Sequence, residues 1–146
     1  MLPLPQTAEY AVRAVLHIAA HEGSGAVRVS DTAASLRVPQ NYLSKTLHQL
    51  ARAGVLASMR GPTGGFRLAR PAERLTLDQI ISPFASTDEH RCLLGSGVCG
   101  ETPGCVVHAQ WAPIKARIRE FFSATTVADL LSAPPSTSLR FLNETA

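Results

Sequence analysis

Apolar residues recur at three- and four-residue intervals along residues 7–20, where Ala11, Val15 and Ile18 fall on one side of a helical projection. This spacing predicts a first helix. The glycine-containing stretch 21–25 interrupts the apolar pattern, so we expect the helix to end there.

Two further helices are predicted before residue 54. One covers residues 31–36 with Ser30 as its N-cap, and the next covers residues 39–53 with Gly54 as its C-cap. The two are separated by a tight turn that contains a proline. This arrangement of two short helices is typical of a helix-turn-helix.

The second of these helices has two different faces. Its core face carries leucines and its outer face carries polar and basic residues. The leucines are Leu43, Leu47 and Leu50, and the outer residues are Asn41, Lys45, His48 and Arg52. This helix therefore has the character of a recognition helix, which contacts base edges in the major groove through its N-terminal residues.

Residues 55–69 alternate in polarity on both sides of the run GPTGG, which predicts a β-hairpin with a glycine-rich tip. The apolar positions of the alternation are Val55, Ala57, Met59, Phe66 and Leu68. A hairpin directly after a helix-turn-helix is a wing, and Arg60 and Arg67 flank its tip. The alternative is that these arginines only keep a strand edge soluble.

The C-terminal half begins with a short helix capped by Thr76, followed by a polar loop over 86–105. An apolar stripe at helical spacing then predicts a long helix, which we expect Pro113 to kink. The stripe comprises Trp111, Ile114, Ile118, Phe121 and Phe122. Its expected partner is the same helix of a second subunit, with the chain's own first helix as the alternative.

Charge is unevenly distributed along the 146 residues. Residues 1–75 have a net charge of +5 and residues 76–146 have −2, as expected for a nucleic-acid-binding half joined to a partner or sensor half. The longest apolar stretch near the N-terminus, 11–20, is interrupted by Arg13 and His17. It is too short for a membrane span, and no basic segment precedes it, so we expect a cytoplasmic protein.

Three cysteines lie within fourteen residues, at positions 92, 99 and 105, in a loop rich in glycine. Thiolates select iron-sulfur clusters, zinc or copper(I), but a structural zinc site normally has paired cysteines two to four residues apart. Clusters usually take four ligands, and His108 or a residue outside the loop could be the fourth. The alternatives are a redox-sensing thiol switch or inert buried thiols.

An enzyme is not indicated, because the sequence has no nucleophile–base pair, phosphate loop or cofactor fingerprint. Instead, four segments resemble the Rrf2 family of bacterial transcription regulators, which includes IscR, NsrR and RirA. They are EYAVRAVLHIA, NYLSKTLHQLARAGVL, SMRGPTGGFRLARPAE and the cysteine loop. The resemblance runs from about residue 7 to residue 131.

The resemblance implies a homodimer that binds palindromic double-stranded DNA through winged-helix domains and is joined by the long helix. It also implies that Cys92, Cys99 and Cys105 hold a two-iron or four-iron cluster whose state changes DNA affinity. In IscR-like members a histidine three residues after the last cysteine is the fourth ligand, and His108 matches it. In NsrR-like members an acidic residue of the partner's first helix serves, and Glu9 occupies that position.

The predicted fold is mostly α with one small β-hairpin. We divide the chain into a winged helix-turn-helix domain (1–85), a cluster-binding loop (86–105), a dimerisation helix with a short final helix (106–131) and a tail (132–146). The predicted function is that of a repressor sensing iron-sulfur status, redox state or nitric oxide. The expected DNA contacts are Gln40, Asn41, Tyr42, Ser44 and Lys45 of the recognition helix and Arg60, Gly61, Gly64 and Gly65 of the wing.

Overall fold

A computed structural model describes residues 4–85, 93–94 and 105–133. The helices are α1 (Gln6–His21), α2 (Val29–Leu36), α3 (Gln40–Arg52), α4 (Leu77–Ile81), α5 (His108–Ala124) and α6 (Val127–Leu131). The strands β1 (Leu56–Met59) and β2 (Gly65–Leu68) lie between α3 and α4. Short 3-10 turns cover Glu22–Ser24, Ala72–Arg74 and Ser82–Phe84. The mostly helical fold with one hairpin is as predicted.

The core forms where α1 and α3 meet the wing and α4. Leu43, Leu47 and Leu50 of α3 are completely buried, which confirms the predicted core face of that helix. From α1, Val15 and Ile18 are also fully buried. Burying side chains of this size stabilises a fold by roughly 1.5–3 kcal/mol each, so this contact fixes the orientation of α3.

Two predicted details at helix ends are wrong. Ser30 does not cap α2, because the helix already begins at Val29 and the Thr32 N–H donates to the carbonyl of Arg28. The C-cap of α3 is Ala53, and Gly54 follows it with a φ of 77°, which suits a residue without a Cβ. Helix α3 begins at Gln40 with Pro39 as its N-cap, in agreement with the predicted start at about residue 39.

The hairpin is antiparallel, and its register pairs Leu56 with Leu68 and Met59 with Gly65. The predicted alternation holds for β2, whose Phe66 and Leu68 are buried. It is wrong for β1, because Leu56 is the inward residue of that strand and Met59 is 42% exposed. The right-handed twist and the sharp tip leave only the first half of β1 over the core.

Thr76 caps α4 as predicted, and its side chain and that of Gln79 form a reciprocal capping box. Helix α4 leads into the 3-10 turn Ser82–Phe84, which ends just before the predicted cysteine loop. Apart from 93–94 and Cys105, that loop lies outside the described residues. The tail lies outside them from residue 134 onward.

Helix α5 continues through Pro113 without a break, and its principal neighbour is α4. None of its residues is buried within this chain. In the described part of the chain, no helix combines the length and the apolar character needed to cross a membrane.

Candidate nucleic-acid interface and cysteine loop

The first two turns of α3 present the predicted base-reading residues to solvent. Gln40, Asn41 and Lys45 are exposed, and Ser44 is partly exposed. These residues are exposed because the leucine face of α3 is buried, and side chains spaced 100° apart around a helix cannot all point inward. An amide, a hydroxyl and an ammonium group are therefore available on one surface, and they can pair with base edges and phosphates.

Tyr42 differs from its neighbours on this surface. Its hydroxyl lies 2.6 Å from the hydroxyl of Thr7 on α1, and its ring meets the ring of Tyr10 edge to face, with centroids 5.7 Å apart. One side of Tyr42 is therefore engaged with α1, although the residue is still 36% exposed. This contact orients the first turn of α3 relative to α1.

The wing tip is compact and basic. The Gly64 N–H donates to the carbonyl of Gly61 at 2.9 Å, which closes the turn, and Gly61 has a φ of 105° that favours glycine. A Cβ at Gly64 would lie 2.6 Å from the carbonyl oxygen of Met59, so glycine is required there as well. Arg60 is exposed beside this turn, and so is Arg67 on β2.

A groove of about 780 Å³ separates the end of α1 from the wing, and sequence reasoning did not anticipate it. His17 and His21 line it on the α1 side, with their rings 4.3 Å apart, and Arg60 lines it on the wing side. Burial and the neighbouring His21 lower the pKa of His17, while the carboxylate of Asp31 opposes the shift. The only sequence signal was the spacing of the two histidines, one helical turn apart.

The candidate cluster ligands are only partly described. Cys92 and Cys99 lie outside the described residues. Cys105 is half-buried in the turn before α5, and the His108 N–H donates to its carbonyl at 3.2 Å. This hydrogen bond closes a single backbone turn from Cys105 to His108.

Glu9, the other candidate for the fourth ligand, is exposed on α1. Its carboxylate pairs with the guanidinium of Arg13 at 3.5 Å, one helical turn further along. Among the described residues, no three histidine, cysteine or acidic side chains converge as a metal site would require. A site that includes Glu9 would therefore need residues from beyond the described ranges or from another subunit.

One contact joins the recognition helix to the segment that leads into the cysteine loop. The Gln49 side-chain amide on α3 donates to the carbonyl of Pro83 at 2.7 Å. Pro83 belongs to the 3-10 turn immediately before the loop. The pattern of apolar residues could not predict this contact, because it joins two exposed polar groups 34 residues apart.

Comparison with protein families gives one match that spans the described core. The family described as "Rrf2: Iron-dependent Transcriptional regulator" matches residues 4–133. Among curated proteins, the transcriptional regulator IscR of Vibrio vulnificus is 31% identical over 132 residues, which cover 90% of this chain and 78% of that protein. These relatives are transcription regulators rather than enzymes.

Solved structures share the same fold. The structure of T. potens IscR superposes with a TM-score of 0.75 at 25% identity, covering 95% of this chain and 93% of the other. The structure of CymR, the global cysteine regulator of B. subtilis, has a TM-score of 0.78 at 23% identity, covering 90% and 98%. At that identity the CymR likeness shows the fold alone.

Proposed function

This chain belongs to the Rrf2 family of transcriptional regulators, and from that membership we propose that it is a homodimeric repressor of a palindromic operator. We further propose that it senses iron-sulfur status, redox state or nitric oxide through an iron-sulfur cluster on Cys92, Cys99 and Cys105. The DNA-binding part of the proposal depends on the exposed first turns of α3 beside a basic wing.

The geometry of that surface supports a two-part contact with DNA. The amides of Gln40 and Asn41 suit bidentate pairing with adenine in the major groove. Lys45 and Arg60 add positive charge for phosphates and for the minor groove. The compact glycine-rich tip allows the wing backbone to approach the duplex closely.

Homodimerisation is supported by the exposed apolar side chains of α5. Ile114 is 50% exposed and Phe121 is 55% exposed, on a helix that has no buried residue. With Ile118 and Phe122 they line a shallow, largely apolar groove of about 520 Å³. An apolar face of this kind is commonly covered by a partner, and a second copy provides the two-fold symmetry that a palindromic operator needs.

The donor set fits an iron-sulfur cluster. Three thiols and an imidazole are soft or intermediate ligands, and a hydrogen-bonded backbone turn joins Cys105 to His108. When bound, a cluster supplies a redox-active group that oxidants and nitric oxide can alter. The family's description as iron-dependent agrees with this choice.

The loop that carries the ligands is attached at both ends to elements that bear on DNA binding. Before the loop, Pro83 accepts a hydrogen bond from Gln49 of the recognition helix. After it, Cys105 precedes α5, the proposed dimer helix. A ligand shifts a conformational equilibrium only if it binds the two states differently. We propose that the cluster acts on DNA binding through these two attachments.

Anaerobic purification tests the sensing proposal. We expect a brown protein with visible absorbance that carries iron and sulfide, and a change in operator affinity when the cluster is removed. Colourless, iron-free protein whose DNA affinity responds to thiol oxidation would contradict the cluster proposal. It would support the alternative, a cluster-free thiol switch. The control is the triple variant Cys92→Ser, Cys99→Ser, Cys105→Ser, which has neither the cluster ligands nor the thiols of a redox switch.

Sequencing the DNA recovered with the protein tests the operator proposal. We expect a short inverted repeat with half-sites about one helical turn apart, as two recognition helices related by a two-fold axis require. Recovery of sequences without symmetry would contradict the proposed homodimer on DNA.

A further inference from the structure

The wing is fastened to the segment that joins α1 to α2. Val27 and Phe66 form an antiparallel bridge in which each N–H donates to the other's carbonyl at 2.8 Å. At the neighbouring Gly65, a Cβ would lie 2.6 Å from the carbonyl carbon of Val27, so only glycine allows the two backbones to come this close. This bridge fixes β2 at the end of the strand that is nearer to the tip.

A second contact holds the same strand further from the tip. The Leu68 N–H donates to the carboxylate of Glu22 at 3.2 Å. Glu22 and Val27 thus anchor β2 from one short connection. Neither hydrogen bond is made by the turn 60–64 itself, which carries Arg60.

Arg28 reaches the tip itself. Its Nη2 donates to the carbonyl of Pro62 at 2.9 Å, in the turn and two residues after Arg60. Arg28 is also the N-cap residue of α2, so its backbone is held by the helix-turn-helix. The hydrogen bond therefore links the tip directly to the body that carries the recognition helix.

We propose that Arg28 is a positioning residue for the wing, which orients the tip so that Arg60 meets the DNA minor groove. The inference rests on the proposed contact between the wing and DNA. Binding with a tip that is already oriented costs less conformational entropy than binding with a mobile one. The hydrogen bond is exposed to solvent, but its charged guanidinium donor makes it stronger than a bond between two neutral groups.

A positioning role and a direct phosphate contact make different predictions. If Arg28 acts through Arg60, removing Arg28 matters only while Arg60 is present. If Arg28 binds a phosphate itself, its removal weakens binding whether or not Arg60 is present. Non-additivity in a double-mutant cycle separates the two, because coupled residues show an interaction energy and independent ones do not.

The experiment compares Arg28→Ala, Arg60→Ala and the double variant on the operator duplex by fluorescence anisotropy at several salt concentrations. We expect Arg28→Ala to weaken binding about tenfold in the wild-type background and less than about twofold in the Arg60→Ala background. The salt slope should fall by about one unit with Arg60→Ala and change no further in the double variant. Arg74→Ala removes the same charge from the 3-10 turn after the wing and controls for net charge.

Equal losses from Arg28→Ala in both backgrounds, with a further drop in salt slope, would overturn the inference while leaving the wing on DNA. If Arg60→Ala alone changes neither affinity nor salt slope, both the wing contact and the role of Arg28 are wrong. Thermal unfolding of each variant serves as a control for folding. A positioning residue should weaken DNA binding by more than the loss of folded protein explains. Arg28→Lys keeps the charge but not the planar guanidinium, so this variant should bind the operator more tightly than Arg28→Ala and less tightly than the wild type.

Discussion

The hydroxyl groups of Thr7 and Tyr42 lie 2.6 Å apart and join the first turn of α1 to the first turn of the recognition helix. The sequence predicted Tyr42 only as a residue that reads DNA. Its hydroxyl already has a partner, and its ring packs against Tyr10. The arrangement makes α1 the element against which the base-reading turn is aligned.

Tyr42→Phe and Thr7→Ala should therefore weaken operator binding by similar amounts, about two- to fivefold, because each removes the same partly exposed hydrogen bond. The double variant should lose no more than the larger single loss. Anisotropy titrations on the operator measure this. If Tyr42→Phe weakens binding and Thr7→Ala does not, the hydroxyl contacts DNA itself.

Asn41→Ala should cost roughly 1–3 kcal/mol of binding free energy on the cognate operator and much less on random DNA. The amide is exposed in the first turn of α3, where base contacts are made in helix-turn-helix proteins. Titrations against both duplexes at one salt concentration measure the difference. Gln110→Ala, at an exposed position of α5, is the matched control. Equal losses on the two duplexes would mean that Asn41 only contacts the backbone.

The parts of this fold that were predictable follow from periodicity. The spacing of Leu43, Leu47 and Leu50 alone predicts that they lie in the core, and all three are fully buried. The hairpin was predictable because the run GPTGG separates two short alternating segments. Such elements can be predicted from one sequence because many neighbouring residues contribute to the same pattern.

The contacts that position the functional surfaces were not predictable in this way. The bridge between Val27 and Phe66 involves a single residue outside the hairpin and leaves no alternating pattern. The bonds from Arg28 to Pro62 and from Gln49 to Pro83 each join residues 34 positions apart. Long polar side chains reach such partners only once the fold has brought them together, so the local sequence does not encode the pairing.

Ile118→Glu should yield a monomer that binds the operator poorly, because a charge in the apolar groove of α5 would have to be desolvated at a subunit interface. Sedimentation measures the oligomeric state, and anisotropy measures the affinity. Ala116→Glu introduces the same charge at an exposed position of the same helix, away from the groove, and should remain dimeric. A stable Ile118→Glu dimer would contradict the proposed interface.

Stability should fall as the pH drops below about 6.5, because the unfolded chain then binds a proton at His17 that the folded chain resists. Burial and His21 lower the pKa of His17 in the fold. The stability that depends on neutral His17 is therefore fully present above the ordinary pKa of histidine. The loss levels off once the pH is below the lowered pKa. Denaturant melts across this range measure it.

His17→Gln should flatten this part of the pH profile. Asp31→Asn should extend the loss to lower pH, because the Asp31 carboxylate opposes the shift and its removal lowers the pKa of His17 further. An unchanged profile in the His17→Gln variant would assign the pH dependence to other groups.

In the proposed mechanism, control of DNA binding depends on the fourth cluster ligand, and the two candidates lie on different elements. His108 begins α5, one turn after Cys105. Glu9 lies on α1, where its carboxylate pairs with Arg13 at 3.5 Å and would have to leave that pair to bind iron. The local spacing to Cys105 favours His108, whereas an exposed ion pair of this kind is weak and discriminates little between the two candidates.

His108→Ala should therefore change both the visible spectrum of the anaerobically purified protein and its operator affinity, whereas Glu9→Ala should leave the spectrum unchanged. Loss of the true ligand must alter both readouts, because a cluster that binds less well can no longer bias the DNA-binding state. The reverse pattern would assign ligation to Glu9 and imply a cluster shared between subunits. If neither substitution changes either readout, the fourth ligand is another group, and control of DNA binding through α1 or the start of α5 is wrong.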